Sequence, residues 1–462
     1  MSEKKYGLLT AVTMIVGIVV GSGIFFKSSS ILRATDGNVF LAVLVFIIGA
    51  VAIVFGSLTL SELASRTDKP GGLVTYFEEF TNRGLAMGFG WFQTFVYTPT
   101  ITVVVSWVSS NYIGLLFNVD FTLEVQVLVG LGCMLLLFLC NILSARLGGI
   151  MQNAATFIKF FPLILIAVAG IFWGDPQVLT PNNPHMSTTI TSMGWLAALA
   201  PMAFSYDGWV ITTSISHEVK DAKKNTAKAL IIAPIIILTV YLLYFLGITN
   251  MLGVENILGM KDIDAVMLAA QNIFGAVGAK IIVVFVIVAV LGTVNGLVLG
   301  LTRMPYLLAT KKMIFRSDVF VKENAKLKMP INSGLCSIAL CFIWYVVHYL
   351  FLKFNLVPGS DVSEIAIITS YIMYTILYVK VIMMKKQGEI QSVWKGYVIP
   401  SLGILGSTII LVGGLYMNFV VYTLYILACC GIVLAGVLYE KYRKKPVASE
   451  PQEVVAEETT EK

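Results

Sequence analysis

Long apolar runs separated by short polar intervals set the pattern of this chain. Predominantly apolar segments lie at roughly 8–34, 39–64, 85–117, 123–144, 149–173, 194–217, 228–251, 275–309, 331–352, 361–384, 396–416 and 418–442. A helix of about 20 residues crosses the hydrocarbon core of a bilayer. Each segment reaches that length, so the pattern predicts about twelve membrane-spanning helices. The polar intervals carry less. Residues 65–84 contain Asp68-Lys69-Pro70-Gly71-Gly72, a turn between the second and third spans. Residues 255–274 include an amphipathic stretch from Ile263 to Phe274, expected as a short helix on the outer surface. Residues 311–330 form a basic loop. The tail beyond Lys445 has proline, glutamate and no apolar periodicity, and is expected to be disordered.

Two spans are interrupted. The first contains Gly21-Ser22-Gly23, and the sixth contains Phe204-Ser205-Tyr206-Asp207-Gly208. Glycine and serine are poor helix formers, so both helices are expected to open there. Opened backbone survives in a membrane only where it faces protein or a polar cavity. One such break is commonly a packing notch for a neighbouring helix. Two breaks five spans apart, at similar depth, point to an inverted-repeat transporter with its site at the midplane.

Composition agrees with the pattern. Of 462 residues, 57% are hydrophobic and 13% charged, with mean hydropathy +0.86. Soluble domains carry about 25% charged residues. Lys4 and Lys5 precede an apolar run too long for a cleavable signal, so the first helix is expected to remain as an anchor. With the N-terminus inside, nearly every cytoplasmic loop is rich in Lys and Arg. Arg33, Lys261, Lys280 and Lys353 fall outside, Lys27 lies near the outer end of the first span, and Asp361 and Glu364 count among the outside acids. Both termini are thus placed in the cytoplasm. The net charge of +6 reports this topology, and no nucleic-acid partner is expected. The six cysteines lie in apolar segments and His185, His217 and His348 are scattered, so neither a disulfide framework nor a metal site or cofactor is expected. No cluster of intramembrane carboxylates, histidines or cysteines suggests an enzyme. Ring-like filter motifs of a channel are likewise missing from the pattern.

The Gly-Ser-Gly-Ile-Phe of span one and the Ala-Phe-Ser-Tyr-Asp-Gly-Trp of span six resemble the signature of the amino acid–polyamine–organocation superfamily. Lys69-Pro70-Gly71-Gly72 and Gly292-Thr293-Val294-Asn295-Gly296, followed by Arg303, add to the match. Together they most resemble a prokaryotic member of the L-amino acid transporter family, over nearly all of residues 1–442. The resemblance implies a LeuT-like fold: a five-plus-five inverted repeat, residues 1–173 and 174–384, with two further helices at 385–445 and a tail at 446–462. It implies exchange of small or medium neutral L-amino acids by alternating access. Eukaryotic relatives pair with a glycoprotein through a loop cysteine between spans three and four. Residues 118–124 hold none, so no such heavy-chain partner is expected. The setting is a bacterial plasma membrane, with lipid as the surrounding partner.

An amino acid zwitterion needs N–H donors for its carboxylate and acceptors for its ammonium. The half-helix after the first break offers the amides of Ser22, Gly23 and Ile24 at its positive end. The half-helix ending near Ser205 offers the carbonyls of Phe204, Ser205 and Asp207, with that of Val19 from span one. Phe204 is read as a gate over the substrate, against the plainer role of a packing aromatic. Asp207 replaces the small residue of several relatives, and either pairs with a neighbour or favours particular substrates. Tyr241 in span seven is expected near the substrate. Asn295 is either a pocket residue or a helix–helix hydrogen bond. Lys159 lies deep in span five, too far from either end to snorkel readily. In sodium-coupled relatives a cation sits between spans one and eight near this point. The Lys159 ammonium is expected to take its place and make transport sodium-independent. The alternatives are proton coupling, and a cationic amino acid or polyamine carrier using Asp207 or Glu218.

Overall fold

The computed structural model describes residues 7–67, 69, 71–143, 151–152, 154–155, 157–175, 184–187, 190–210, 219–261, 263–324 and 329–443. The tail and Glu218 lie outside the described residues. In chain order the helices are α1 (Leu8–Val19), α2 (Ser22–Ala34), α3 (Val39–Ala64), α4 (Gly72–Phe80), α5 (Arg83–Phe117), α6 (Leu123–Leu143), α7 (Phe160–Trp173) and α8 (Gly194–Ser205). They continue as α9 (Ala222–Leu252), α10 (Val254–Gly259), α11 (Asp264–Thr310), α12 (Ser317–Phe320), α13 (Ile331–Lys353), α14 (Val362–Lys386), α15 (Trp394–Met417) and α16 (Phe419–Tyr442). Among the described residues, nine helices are long and apolar enough to cross a membrane. The bent pair α1–α2 makes a tenth. The shorter apolar helices α7 and α8 fall in the fifth and sixth predicted segments, which continue into residues outside the description.

Polar caps mark where the spans begin. Asn38, Asn82, Asp361 and Asn418 each accept the amide of a residue two or three positions on, at 2.9–3.1 Å. Such caps satisfy amides that the helix itself cannot. Helix α5 widens into a π turn over Gln93–Tyr97, just before Pro99. The interval 65–84, expected as a loop, contains α4. Its Leu73, Val74, Tyr76 and Phe77 are buried, and this amphipathic spacing makes it a helix. The expected surface helix from Ile263 to Phe274 is the first part of α11. Gly275 (φ 68°, ψ −176°) breaks α11 there, a conformation glycine adopts freely. Helices α5 and α14 are largely buried, whereas α6, α13 and α16 turn most of their surface outward. The outward faces are apolar: Leu128, Leu136, Leu139 and Leu143 on α6 are exposed. A lipid-facing surface accounts for that pattern.

Candidate functional site

The first break follows from its glycines. Val20 leaves α1 in an extended conformation, Gly21 takes φ −151° and ψ −142°, and α2 begins at Ser22. The two helices bend by 54°. The amides of Ser22, Gly23 and Ile24 thereby become the first turn of α2, where no intrahelical acceptor exists. A Cβ built on Gly23 would lie 2.6 Å from Ser205 Cα and 3.4 Å from Phe204 O. These are backbone atoms that cannot give way, so the site requires glycine. A Cβ on Gly21 would lie 2.7 Å from Thr293 Oγ1 of α11. The start of α2 thus abuts the end of α8, backbone against backbone.

Three of the four carbonyls expected to receive an ammonium, those of Val19, Phe204 and Ser205, have partners in this arrangement. The Tyr241 hydroxyl lies 3.0 Å from Val19 O and 2.8 Å from Ser205 O. One hydroxyl proton therefore bridges the end of α1 and the end of α8. Phe204 O accepts the Asp207 amide at 3.1 Å, closing the last turn of α8. Lys159, 1% exposed, directs its ammonium onto the carbonyl of Gly17 in α1. Of the two roles expected for Lys159, bracing span one is visible, while its described hydrogen bond reaches α1 and not α11.

Two residues that sequence left open have side-chain partners in the structure. Asp207 pairs with a neighbour: the Tyr97 hydroxyl donates to its carboxylate, 2.7 and 2.8 Å from the two oxygens. Asn295, expected as a pocket residue or a helix–helix hydrogen bond, makes such a bond. Its Oδ1 accepts from Asn141 Nδ2 of α6 at 2.7 Å, and its Nδ2 donates to Gln152 at 3.4 Å. The reason is angular. Two residues along a helix turn the side chain by about 200°, so with Thr293 against Gly21, Asn295 faces away. Phe204 is buried and lies under the Lys27 ammonium, 5.3 Å from ring centroid to Nζ.

Lys27 itself was missed. It is 2% exposed and pairs with Asp361 at 2.8 Å and Glu364 at 2.5 Å, both on α14 and both buried. Counting these three charges as separate loop charges missed that they form one buried cluster. A signal existed, since Asp361 and Glu364 stand three apart in one apolar segment and so share a helix face. Their partner 334 residues away left no trace in the local pattern. Tyr97 and Thr293 were also missed, because neither is unusual in an apolar helix.

A cavity of about 620 Å³ opens above this cluster, lined by Phe26, Lys27, Trp107, Ser360 and Asp361 among others. At its rim Lys261 pairs with Asp120 at 2.8 Å, and that hydrogen bond raises the Lys261 ammonium above the ordinary lysine value.

A bundle of apolar helices, with its first span broken around backbone donors and a second helix ending against that break, defines a multi-pass membrane transporter. More particularly, the chain belongs to the amino acid permease family, whose model matches residues 6–438. The serine/threonine exchanger SteT of Bacillus subtilis (strain 168) is 29% identical over 422 residues, 88% of this chain and 92% of its own. The human Asc-type amino acid transporter 1 is 32% identical over 247 residues, 52% of this chain and 47% of its own. The human large neutral amino acids transporter small subunit 2 is 31% identical over 251 residues, 52% of this chain and 46% of its own. The chain thus spans about half the length of these two human relatives.

Proposed function

We propose that this chain exchanges small or medium neutral L-amino acids across a bacterial plasma membrane, without sodium, by alternating access. The observation that carries the reading is the meeting of two helix ends of opposite polarity at Gly23 and Ser205. When the ends part, the amides of Ser22, Gly23 and Ile24 take the substrate carboxylate. The carbonyls of Val19, Phe204, Ser205 and Asp207 take its ammonium, and Tyr241 yields the contacts that it now makes. Phe204, lying between the break and Lys27, closes over the ligand. Lys159 on Gly17 O supplies the fixed positive charge that a sodium ion would otherwise bring. Residues 1–173 and 174–384 are the two inverted repeats, both termini are cytoplasmic, and the chain acts without a glycoprotein partner. The name of the SteT relative supports exchange and hydroxylated or similarly small substrates. The cationic-carrier reading loses support because the Asp207 carboxylate already accepts Tyr97.

The test is uptake of radiolabelled serine, threonine and alanine by purified protein in liposomes, with and without internal amino acid. Uptake is expected to require internal substrate and to ignore a sodium gradient. Equal uptake into empty and preloaded liposomes would defeat the exchanger.

A further inference from the structure

The outer cluster holds one ammonium against two carboxylates. Lys27 is 2% exposed, and the side chains of Asp361 and Glu364 are 3% and 0% exposed. With every group ionised the buried cluster carries a net negative charge, which the N-terminus of α14 offsets only in part. Such a charge is strongly disfavoured unless something neutralises it. Lys27 from α2, Tyr422 from α16 and Asp361 on its own helix face Glu364, while His348 from α13 and Tyr425 from α16 face Asp361. The imidazole of His348 is fully buried, in electrostatic reach of Asp361 and Lys27. Neither of its ring nitrogens has a hydrogen-bond partner among the described residues. The cluster is therefore short of one positive charge, with two sites able to take it.

We propose that Glu364 is a proton-binding site, loaded from the outer cavity, whose occupancy is linked to transport. The hydrogen bonds choose Glu364. Asp361 has the larger set of donors: Lys27 binds one oxygen, and the amide and hydroxyl of Ser363 bind the other, whereas Glu364 has Lys27 on Oε1 and one hydroxyl on Oε2. A carboxylate held by several donors stays ionised. Glu364 Oε2 instead meets the Ser360 hydroxyl at 2.6 Å, and Ser360 Oγ lies 3.0 Å from the Tyr422 hydroxyl. This chain works in both states. With Glu364 ionised, Tyr422 donates to Ser360 and Ser360 donates to the carboxylate. With Glu364 protonated, the acid donates to Ser360, Ser360 donates to Tyr422, and Tyr422 donates to Met417 Sδ at 3.4 Å. No donor is orphaned by the change. Ser360, Lys27 and Asp361 line the cavity, so a proton from water there reaches Glu364 through Ser360. His348 has no carboxylate within ion-pair distance among the described residues, so Glu364 is the better placed of the two sites.

The direct test is infrared difference spectroscopy on the purified full chain, following the carbonyl band of a protonated carboxylic acid. The wild type is expected to show a band that is lost in Glu364→Gln and retained in His348→Gln. Glu364→Gln keeps the shape of the acid, so it is expected to fold. If it does not, Ser360→Ala serves: the band must shift or titrate at a different pH. In liposomes preloaded with amino acid, wild-type uptake is expected to change roughly fivefold or more with external pH. Uptake by Glu364→Gln is expected to be flat. A band unaffected by both Glu364→Gln and Ser360→Ala, or a band lost only in His348→Gln, would overturn the assignment. So would an uptake profile of Glu364→Gln identical to that of the wild type.

Discussion

Among the described residues two lysines, Lys27 and Lys159, lie in the interior of this bundle, and they are held in opposite ways. Lys27 sits against two carboxylates, Asp361 and Glu364, between α2 and α14. Lys159 sits against a backbone carbonyl, that of Gly17, beside the first break. A buried ammonium paired with acids is balanced by formal charge and is costly to unbalance. A buried ammonium on a carbonyl is balanced by dipoles at an opened helix end, and so depends on that end staying open. The first arrangement ties two helices together. The second makes the lysine a part of the break itself. Interior lysines are therefore not equivalent markers of function; what matters is whether the counter-charge is a side chain or a helix terminus.

The largest expected effect tests the first arrangement. Lys27→Met strands Asp361 in the interior, and the loss of one partner of a buried pair costs about 3–5 kcal/mol. Thermal unfolding in detergent is expected to show a large fall in midpoint. Adding Asp361→Asn and Glu364→Gln to the same chain is expected to recover most of it. Lack of recovery would mean that Lys27 stabilises by packing on Phe26 and Phe204 and not by charge. The same substitution at the second lysine is expected to behave differently. Lys159→Met orphans a carbonyl and leaves no buried acid, so stability falls by about 1.5–3 kcal/mol at most. Exchange is expected to fall on the order of ten- to a hundredfold, because that energy is spent at the site. Equal thermal losses for the two variants would erase the comparison.

Both lysines were open to sequence reading, yet only one was read. Lys159 stands about ten residues from either end of an apolar segment, and depth alone marks it. Lys27 stands near a predicted helix end, where charge is unremarkable. The break in the first span and the end of α8 were legible because Gly21-Ser22-Gly23 and Ser205 to Gly208 contradict the helical pattern around them. Residue pairing was not, because a hydroxyl or amide in an apolar helix looks the same whatever it faces. Tyr97 with Asp207, Asn141 with Asn295, and Lys27 with Asp361 each join residues more than a hundred positions apart. Helix α4 was lost for a different reason: the turn signal at Gly71-Gly72 hid the short amphipathic run that follows it.

A smaller effect sharpens the second lysine's side of the comparison. Tyr241 bridges Val19 and Ser205, so Tyr241→Phe removes the hydroxyl that holds the two breaks together in this arrangement. The lost bond is worth about 0.5–1.5 kcal/mol. If the hydroxyl stands in for the ammonium, the variant is expected to open more readily, with substrate affinity unchanged or tighter. If it binds substrate directly, affinity falls. Equilibrium binding of labelled serine to the purified protein separates the two signs, which a transport rate alone cannot.

The smallest effect is expected at Asn295. Intramembrane hydrogen bonds between helices contribute about 0.6 kcal/mol on average, up to about 1.7. Asn295→Ala breaks the link from α11 to Asn141 on α6 without touching Gly21, which Thr293 contacts from the same helix. A small drop in thermal midpoint with unchanged KM is therefore expected. Thr293→Val is the informative neighbour: it keeps the shape at Gly21 and removes a hydroxyl that faces the break. A KM effect at Thr293 and none at Asn295 would place the α11 wall of the site by residue. The reverse result would return Asn295 to the pocket and require α11 to rotate when the two breaks separate.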